Sequence, residues 1–152
     1  MKKLTEQEKW MRKAIAVAKR GLKEGEVPIG AVVVYGGKVV SRGYNRRAKL
    51  QLASAHAEMM AIDKACKKFG SWRLPEGCEL YVTLEPCPMC MGAIINSRIK
   101  KITFGAKDAK AGACGSVLDM CTYPLNHKPL VESGIMKEEC AEVLRRFFAE
   151  KR

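Results

Sequence analysis

The chain has 152 residues, of which 47% are hydrophobic and 29% are charged. These values are those of one compact globular domain with its own core, and they exclude a predominantly disordered protein. Twenty-eight Lys and Arg against sixteen Asp and Glu give a net charge of +12, which favours nucleic acid as a partner over a merely solvated basic surface.

The cysteines and the apolar runs indicate the compartment. The chain has seven cysteines, an odd number, and its first residues contain no apolar signal core. No apolar run approaches the ~20 residues that a membrane helix needs. We therefore expect no membrane association and a cytoplasmic protein with reduced thiols. In such a protein, clustered Cys and His indicate a metal site or catalysis before disulfides.

Helical and strand-like patterns alternate along the chain, which predicts a single α/β domain spanning residues 1–152. Thr5 to Glu8 has the spacing of a capping box and opens a helix that ends near Gly25. The segments 29–35 and 38–44 predict a hairpin around Gly36 and Gly37. The later elements are helix 56–69, strand 79–84, helix 88–96, strand 99–104, irregular segment 106–126, strand 129–132 and helix 137–149. A sheet of about five strands covered by helices follows.

Apolar residues in two of these helices predict what packs against the sheet. Helix 56–69 is expected to bury the face formed by Met59, Met60, Ile62, Cys66 and Phe69. Phe147 and Phe148 are adjacent in the closing helix. One of them is therefore expected in the core, and the other is expected to face RNA or a partner.

Two short motifs carry the chemistry. His56 opens the predicted helix 56–69, and Cys87 and Cys90 open the predicted helix 88–96. Imidazole and thiolate are preferred zinc ligands, and three protein ligands leave the fourth tetrahedral position for water. Because no further His or Cys lies beside either motif, the pattern predicts one catalytic Zn²⁺ and not a closed structural site.

Glu58 is the predicted proton carrier. Residues two apart diverge in a mid-helix, so His56 and Glu58 converge only in a first turn, where the pattern places them. Zinc lowers the pKa of bound water towards ~7, and a nearby carboxylate then moves the proton. A His-x-Glu motif followed by Pro-Cys-x-x-Cys resembles the signature of zinc-dependent nucleobase deaminases.

Further stretches narrow this resemblance. They are 27–31 (Val-Pro-Ile-Gly-Ala), 43–45 (Gly-Tyr-Asn), 55–58 (Ala-His-Ala-Glu), 81–90 (Tyr-Val-Thr-Leu-Glu-Pro-Cys-Pro-Met-Cys), 97–99, 104–106, 126–127 and 147–148. Across nearly its whole length the chain resembles the bacterial tRNA-specific adenosine deaminases. That resemblance implies the cytidine deaminase-like three-layer α/β/α fold with a mixed five-stranded sheet. It also implies a homodimer.

The resemblance further implies hydrolysis of the wobble adenosine in the anticodon stem-loop of an arginine tRNA to inosine. Carried over by position, His56, Cys87 and Cys90 hold zinc and Glu58 moves the proton. The implied substrate-binding residues are Asn45, Ala57, Pro28, Ile29 and Glu85. The chain departs from many relatives at Leu52, Ala53 and Ser54, where they have Asp-Pro-Thr. The resemblance therefore does not predict the shape of the pocket rim.

The basic residues supply expected RNA contacts. Arg98, Lys100, Lys101, Lys107 and Lys110 are expected on the active-site side of the domain. The residues expected to touch RNA are Arg98, Lys107, Lys110, Asn126, His127, Arg145 and Arg146. For His127 the sequence leaves open whether it contacts RNA or holds a loop.

Two alternatives remain open at the level of sequence. One is a deaminase of free guanine, cytosine or a cytidine nucleotide on the same fold, which a net charge of +12 disfavours. The other is a zinc-stabilised RNA-binding module without catalysis.

Overall fold

The computed structural model describes residues 3–151, so Met1, Lys2 and Arg152 lie outside the described residues. Helices and strands alternate in it as the patterns predict. In chain order they are α1 (Glu6–Lys23), β1 (Gly30–Tyr35), β2 (Lys38–Tyr44), α2 (Arg47–Leu50), α3 (Ala57–Phe69), β3 (Glu79–Leu84), α4 (Pro88–Asn96), β4 (Lys101–Ala106), a 3-10 turn (Met120–Thr122), β5 (Leu130–Ser133) and α5 (Lys137–Glu150). No helix in the described range is long and apolar enough to cross a membrane.

The five strands form one mixed sheet in the order β2-β1-β3-β4-β5. β1 pairs antiparallel with β2 and with β3, whereas β3–β4 and β4–β5 are parallel pairs. Gly36 and Gly37 both have positive φ in the β1–β2 turn, as predicted. Because β3 and β4 run in parallel, their carboxyl ends at Leu84 and Ala106 meet at one edge of the sheet.

Helices cover both faces of the sheet. α1 and α5 pack on one face, over a core that includes Met11, Val32 and Tyr81. α3 and α4 pack on the other face, over a core that includes Val33, Ile94 and Phe104. The predicted three-layer α/β/α fold with a mixed five-stranded sheet is confirmed.

The predicted buried face of α3 is partly wrong. Of the five predicted residues only Ile62 is buried, whereas Met59, Met60, Cys66 and Phe69 are half-buried. The residues that α3 buries are Ala57, Glu58, Ala61, Ile62 and Ala65. Ala57 and Ala61 are small because α3 packs directly against β2 at Gly43.

Two predicted strand boundaries also change, and one short helix was not predicted. The strand predicted at 99–104 begins at Lys101, because the Ile99 amide still donates to the Ile94 carbonyl at the end of α4. The strand predicted at 129–132 begins at Leu130. The short helix is α2, whose four residues are too few to show a helical period.

Candidate active site

Two helix N-termini place the predicted ligands side by side. His56 is the N-cap residue of α3, and Cys87 is the N-cap residue of α4, with Pro88 in the first turn. Cys90 follows one turn into α4, on the same side as Cys87. Neither His56 nor Cys87 uses its side chain to cap its helix, so both side chains are available to a ligand.

The distances fit tetrahedral zinc. The Sγ atoms of Cys87 and Cys90 each lie 3.6 Å from Nδ1 of His56. A Zn–N bond of about 2.05 Å and a Zn–S bond of about 2.3 Å, at the tetrahedral angle, place N and S about 3.6 Å apart. Within residues 3–151 this is the one cluster of three such ligand groups, all within 4.8 Å of one another. The residues therefore fit one zinc ion with three protein ligands.

The electrostatics favour a thiolate at this position. Hydrogen bonding from Cys90 and from His56 lowers the pKa of Cys87 to about 4. The same bond to Cys87, together with burial, raises the pKa of Cys90. The hydrogen bond to Cys87 raises the pKa of His56. The N-terminal dipoles of α3 and α4 also favour negative charge here.

Glu58 lies in the first turn of α3, next to the ligand cluster. Its side chain is buried, with 4% of its surface exposed, and it lies within hydrogen-bonding reach of Cys90. Burial raises the pKa of Glu58 to about 7. The carboxyl group therefore lies beside the three ligand atoms but is not one of the ligands.

A cavity of about 520 Å³ opens over this cluster. That volume lies in the range of about 300–1,000 Å³ typical of small-ligand sites. Among the residues expected to bind substrate, Asn45, Ala57, Ile29 and Glu85 line it together with His56 and Cys87. Pro28 is fully buried below the surface and does not line the cavity.

One rim of the cavity is the segment around α2. The Oδ1 atom of Asn45 accepts from the Arg47 amide at 3.2 Å, and its Nδ2 donates to the Val27 carbonyl at 3.4 Å. The buried Glu26 accepts from the amides of Ala48 and Lys49 at 3.2 and 2.7 Å. These bonds fix Asn45 and Arg47 at the cavity edge.

The opposite rim is the segment after β4, residues 107–116, called here the covering loop. Lys107, Asp108, Ala109, Lys110 and Ala111 line the cavity. Hydrogen bonds from the Ser116 hydroxyl and from the amides of Asp108, Cys114 and Ser116 outweigh burial and lower the pKa of Glu85. The Glu85 carboxylate is thus engaged by the loop and does not point into the cavity as a free group.

The structure separates the expected RNA contacts. Lys107 and Lys110 lie at the cavity, whereas Arg98, Lys100 and Lys101 lie before or at the start of β4, at the other end of the strand. The expectation that all five lie on the active-site side is wrong for those three. The six residues of β4, which span roughly 20 Å, separate these three residues from the cavity.

The other expected contacts also lie away from the cavity. The Arg98 guanidinium donates to the Ile95 carbonyl at the end of α4, and His127 Nε2 lies 2.6 Å from the Ile99 carbonyl oxygen. His127 therefore holds a loop. Asn126 is exposed beside it. Arg145 and Arg146 line a groove between α5 and α1. As RNA contacts, these residues stay predictions.

Several cavity residues were not expected to bind substrate, although Val27, Leu84 and Phe148 lie in stretches that carry the resemblance. Val27, Arg47, Leu84, Asp108, Ala109, Ala111, Leu144 and Phe148 complete the lining. For Phe148 the signal was its pairing with Phe147. Phe147 is 8% exposed and belongs to the core, whereas Phe148 is 50% exposed and reaches the cavity.

Comparison with known proteins defines the class. The profile of the family described as "Cytidine and deoxycytidylate deaminase zinc-binding region" matches residues 4–106. The chain therefore belongs to this family of zinc-binding deaminases, and the metal that its His56, Cys87 and Cys90 cluster fits is zinc.

Individual relatives narrow the class. The chain is 49% identical to the tRNA-specific adenosine deaminase of Bacillus subtilis, over 98% of this chain and 92% of that protein. Within the family, it belongs to the tRNA-specific adenosine deaminases. A structure solved in a study of A-to-I editing by tRNA:A34 deaminases at the wobble position is 44% identical, with a TM-score of 0.86, covering 90% of this chain and 99% of that one.

A more distant structure has the same fold with another named activity. The guanine deaminase of Nitrosomonas europaea is 26% identical, with a TM-score of 0.79. The match covers 93% of this chain and 84% of that one. The fold alone therefore does not select the base.

Proposed function

We propose that this protein hydrolyses the wobble adenosine of a tRNA to inosine and ammonia. The first candidate substrate is an arginine tRNA. The observation that carries the proposal is the 3.6 Å spacing of the His56 and cysteine ligands, with Glu58 beside them under a cavity of about 520 Å³. The relatives named above supply the substrate class.

The reaction adds water to C6 of adenine, breaks the bond from C6 to the exocyclic nitrogen and releases ammonia. Zinc held by His56, Cys87 and Cys90 would supply a Lewis acid that makes water a stronger nucleophile near pH 7. Glu58 takes one proton from the water and delivers it to the ring nitrogen. It then takes the remaining hydroxyl proton and delivers it to the leaving amine, which departs as ammonia while C6 becomes a carbonyl. Its place in the first turn of α3, beside the ligands, suits both transfers.

Binding falls to groups around the cavity. We assign Asn45 and the Ala57 amide to the purine and Ile29 to its face, because all three residues line the cavity beside the ligand cluster. An anticodon base reaches this depth only when it is splayed out of its stack. The exposed ring of Phe148 at the cavity is suited to stack on a neighbouring base.

The cavity edge favours RNA over a free base. Arg47, Lys107 and Lys110 surround it from the two rims. A neutral nucleobase needs no such cations, whereas the phosphates that flank a splayed nucleotide do. These cations therefore favour RNA over the free base that the alternative deaminase on the same fold would bind.

The deciding experiment compares substrates. Purified protein is incubated with an arginine anticodon stem-loop carrying adenosine at the wobble position, and in parallel with guanine, cytosine and adenosine. We expect inosine only in the RNA, at the wobble position. Turnover of a free base without turnover of the RNA would contradict the proposal.

Glu58→Gln is the matched variant, because it keeps the shape and removes the titrating oxygen. We expect zinc content and melting temperature to be unchanged and deamination to fall by about 10²–10⁴-fold or more. Unchanged turnover in Glu58→Gln would remove Glu58 from the mechanism.

We further propose that the protein is a single domain over residues 1–152 that acts as a cytoplasmic homodimer. One sheet, with both its faces covered, supports the single domain. All seven cysteines are free, which fits a reducing compartment. Light scattering after size-exclusion chromatography tests the dimer: a mass near 34 kDa, twice 16.9 kDa, supports it, and 16.9 kDa contradicts it.

A further inference from the structure

The side chain of Glu85 lies between the metal-ligand turn and the covering loop. We propose that Glu85 is a positioning residue that fixes the covering loop as one wall of the cavity and ties this wall to the turn that carries Cys87. The inference rests on the proposed function, which supplies tRNA as the substrate that this wall would contact. It replaces the expected direct contact between Glu85 and substrate.

The Glu85 carboxylate has its hydrogen-bonding capacity filled by the loop. Oε1 accepts from the Asp108 amide at 3.0 Å and from the Ser116 hydroxyl. Oε2 accepts from the amides of Cys114 and Ser116 at 2.9 and 3.2 Å. The residue is 2% exposed. Four donors from three loop residues therefore converge on one buried carboxylate, an arrangement that strongly favours one loop conformation.

Gly112 lets the loop pass this close. A Cβ built on Gly112 would lie 2.3 Å from Cδ of Glu85 and 2.4 and 2.5 Å from its two oxygens. Its φ is not in the left-handed region, so the requirement is for space and not for backbone freedom. Any larger residue would push the carboxylate away from its donors.

Further bonds make the pinned segment behave as one unit. The Asp108 carboxylate accepts from the amides of Lys110 and Ala111, and the Gly112 amide donates to the Asp108 carbonyl. The Ala113 amide donates to the carbonyl of Pro86, next to Cys87, at 2.8 Å. The loop is thus anchored on Glu85 and Pro86 together.

The consequence for the reaction follows from the position of the wall. Residues 107–111 face the ligand cluster and Asn45 across the cavity. A wall that is already ordered needs no ordering when the substrate binds. Loss of the Glu85 bonds should therefore raise KM for RNA more than it lowers kcat, and should leave zinc bound.

Limited trypsin digestion tests the loop without any substrate. Lys107 and Lys110 are tryptic sites within the pinned segment. In Glu85→Gln, one acceptor oxygen becomes an NH2 group facing amide donors, so we expect cleavage after these two lysines to accelerate about tenfold, the effect of about one charge-assisted hydrogen bond. Ser116→Ala, which keeps the buried charge, should show a smaller acceleration.

Kinetics on the anticodon stem-loop complete the test. We expect KM to rise about tenfold in Glu85→Gln, by the same bond energy, with zinc content at the wild-type level. Ser71→Ala is the control, because the Ser71 hydroxyl bonds locally to the Arg73 carbonyl. It should change neither KM nor cleavage after Lys107 and Lys110. Wild-type cleavage and KM in both Glu85→Gln and Ser116→Ala would overturn the proposal.

A double-mutant cycle tests the link to Gly112. Gly112→Ala should raise both cleavage and KM when Glu85 is present. In a Glu85→Ala background the same change should add nothing, because the group that it displaces is absent. Equal effects in both backgrounds would overturn the claim that Gly112 acts through Glu85. Failure of the wild type on every RNA would instead reject the proposed function, since the tryptic readout is independent of substrate.

Discussion

Gly43 in β2 lies directly against Ala57 at the start of α3. A Cβ on Gly43 would lie 2.4 Å from the Ala57 carbonyl oxygen and 2.5 Å from the Ala61 amide nitrogen. The helix therefore rests on the sheet through backbone contact. Because His56 and Glu58 flank Ala57, this contact sets the height of both functional side chains above the sheet.

Gly43→Ala should consequently damage both stability and metal binding. The added methyl group meets backbone on the helix side, which cannot rotate away. We expect a loss of about 1–3 kcal/mol in the free energy of unfolding. We also expect weaker zinc binding, because His56 moves with α3. Urea denaturation and zinc titration measure the two effects.

Gly92→Ala is the matched control. Gly92 lies within α4, and a Cβ there meets nothing within 4 Å. Alanine is a better helix former than glycine, so this change should stabilise the protein by about 0.5–1 kcal/mol. Equal losses in the two variants would contradict the close-packing argument.

The sequence was sufficient to predict the ligand cluster because the chemistry is local. His56 and Glu58 lie in one helix start, and Cys87 and Cys90 lie in another. The alternation of helical and strand-like patterns along the chain likewise predicted all five strands. β2 and β3 run in the same direction because both pair antiparallel with β1, and this brings the two helix starts to one edge of the sheet. That arrangement follows from the fold class and not from these motifs.

The cavity walls were harder to predict because they come from segments without a period. Arg47 lies in a four-residue helix, and Asp108 lies in an irregular loop. The expected position of Arg98 was wrong for a related reason. Its charge is visible in the sequence, but the sequence does not show which end of β4 lies at the cavity. Its guanidinium instead caps α4 and lies over the exposed ring of Trp72.

Loss of a cysteine ligand should remove zinc and destabilise the fold. Because only the folded protein brings the three ligands together, zinc binding contributes to the free energy of folding. Cys87→Ser and Cys90→Ser should therefore bind little zinc and melt at lower temperature. A chelator should lower the melting temperature of the wild type but not of these two variants. Metal analysis and thermal denaturation are the measurements.

Cys66→Ser controls for the loss of a thiol elsewhere. Cys66 is half-buried in α3, and its Sγ makes a weak bond to the Trp72 carbonyl that a hydroxyl can replace. Zinc content and the effect of chelator should match those of the wild type. Wild-type zinc in Cys87→Ser or Cys90→Ser would remove that residue from the ligand set.

The cations at the cavity edge should determine how salt affects RNA binding. Removing one phosphate contact lowers the slope of log Kd against log salt by about 0.7 for single-stranded RNA. We expect this change for Arg47→Ala, Lys107→Ala and Lys110→Ala, measured by fluorescence anisotropy of an anticodon stem-loop. Arg98→Ala should leave the slope unchanged, because Arg98 lies at the other end of β4. The reverse pattern would place the RNA on the far edge.

Two neighbouring glutamates on the α2 rim should behave differently. Glu26 is 3% exposed, and its carboxylate accepts from the amides of Ala48 and Lys49. Glu24 forms ion pairs with Arg46 and Lys49 at 3.8 Å and accepts from the Tyr44 hydroxyl at the surface. Only the Glu26 bonds hold the backbone of the rim that carries Asn45 and Arg47.

We therefore expect Glu26→Ala to lower the free energy of unfolding by about 1–3 kcal/mol, because it leaves two backbone donors without their acceptor. Glu24→Ala should lower it by no more than about 1 kcal/mol, since exposed ion pairs contribute little. Glu26→Ala should also raise KM for the stem-loop while zinc content stays at the wild-type level. Urea denaturation and steady-state kinetics of the two variants, measured side by side, provide the check. Equal losses of stability, or an unchanged KM in Glu26→Ala, would show that the rim does not depend on the buried carboxylate.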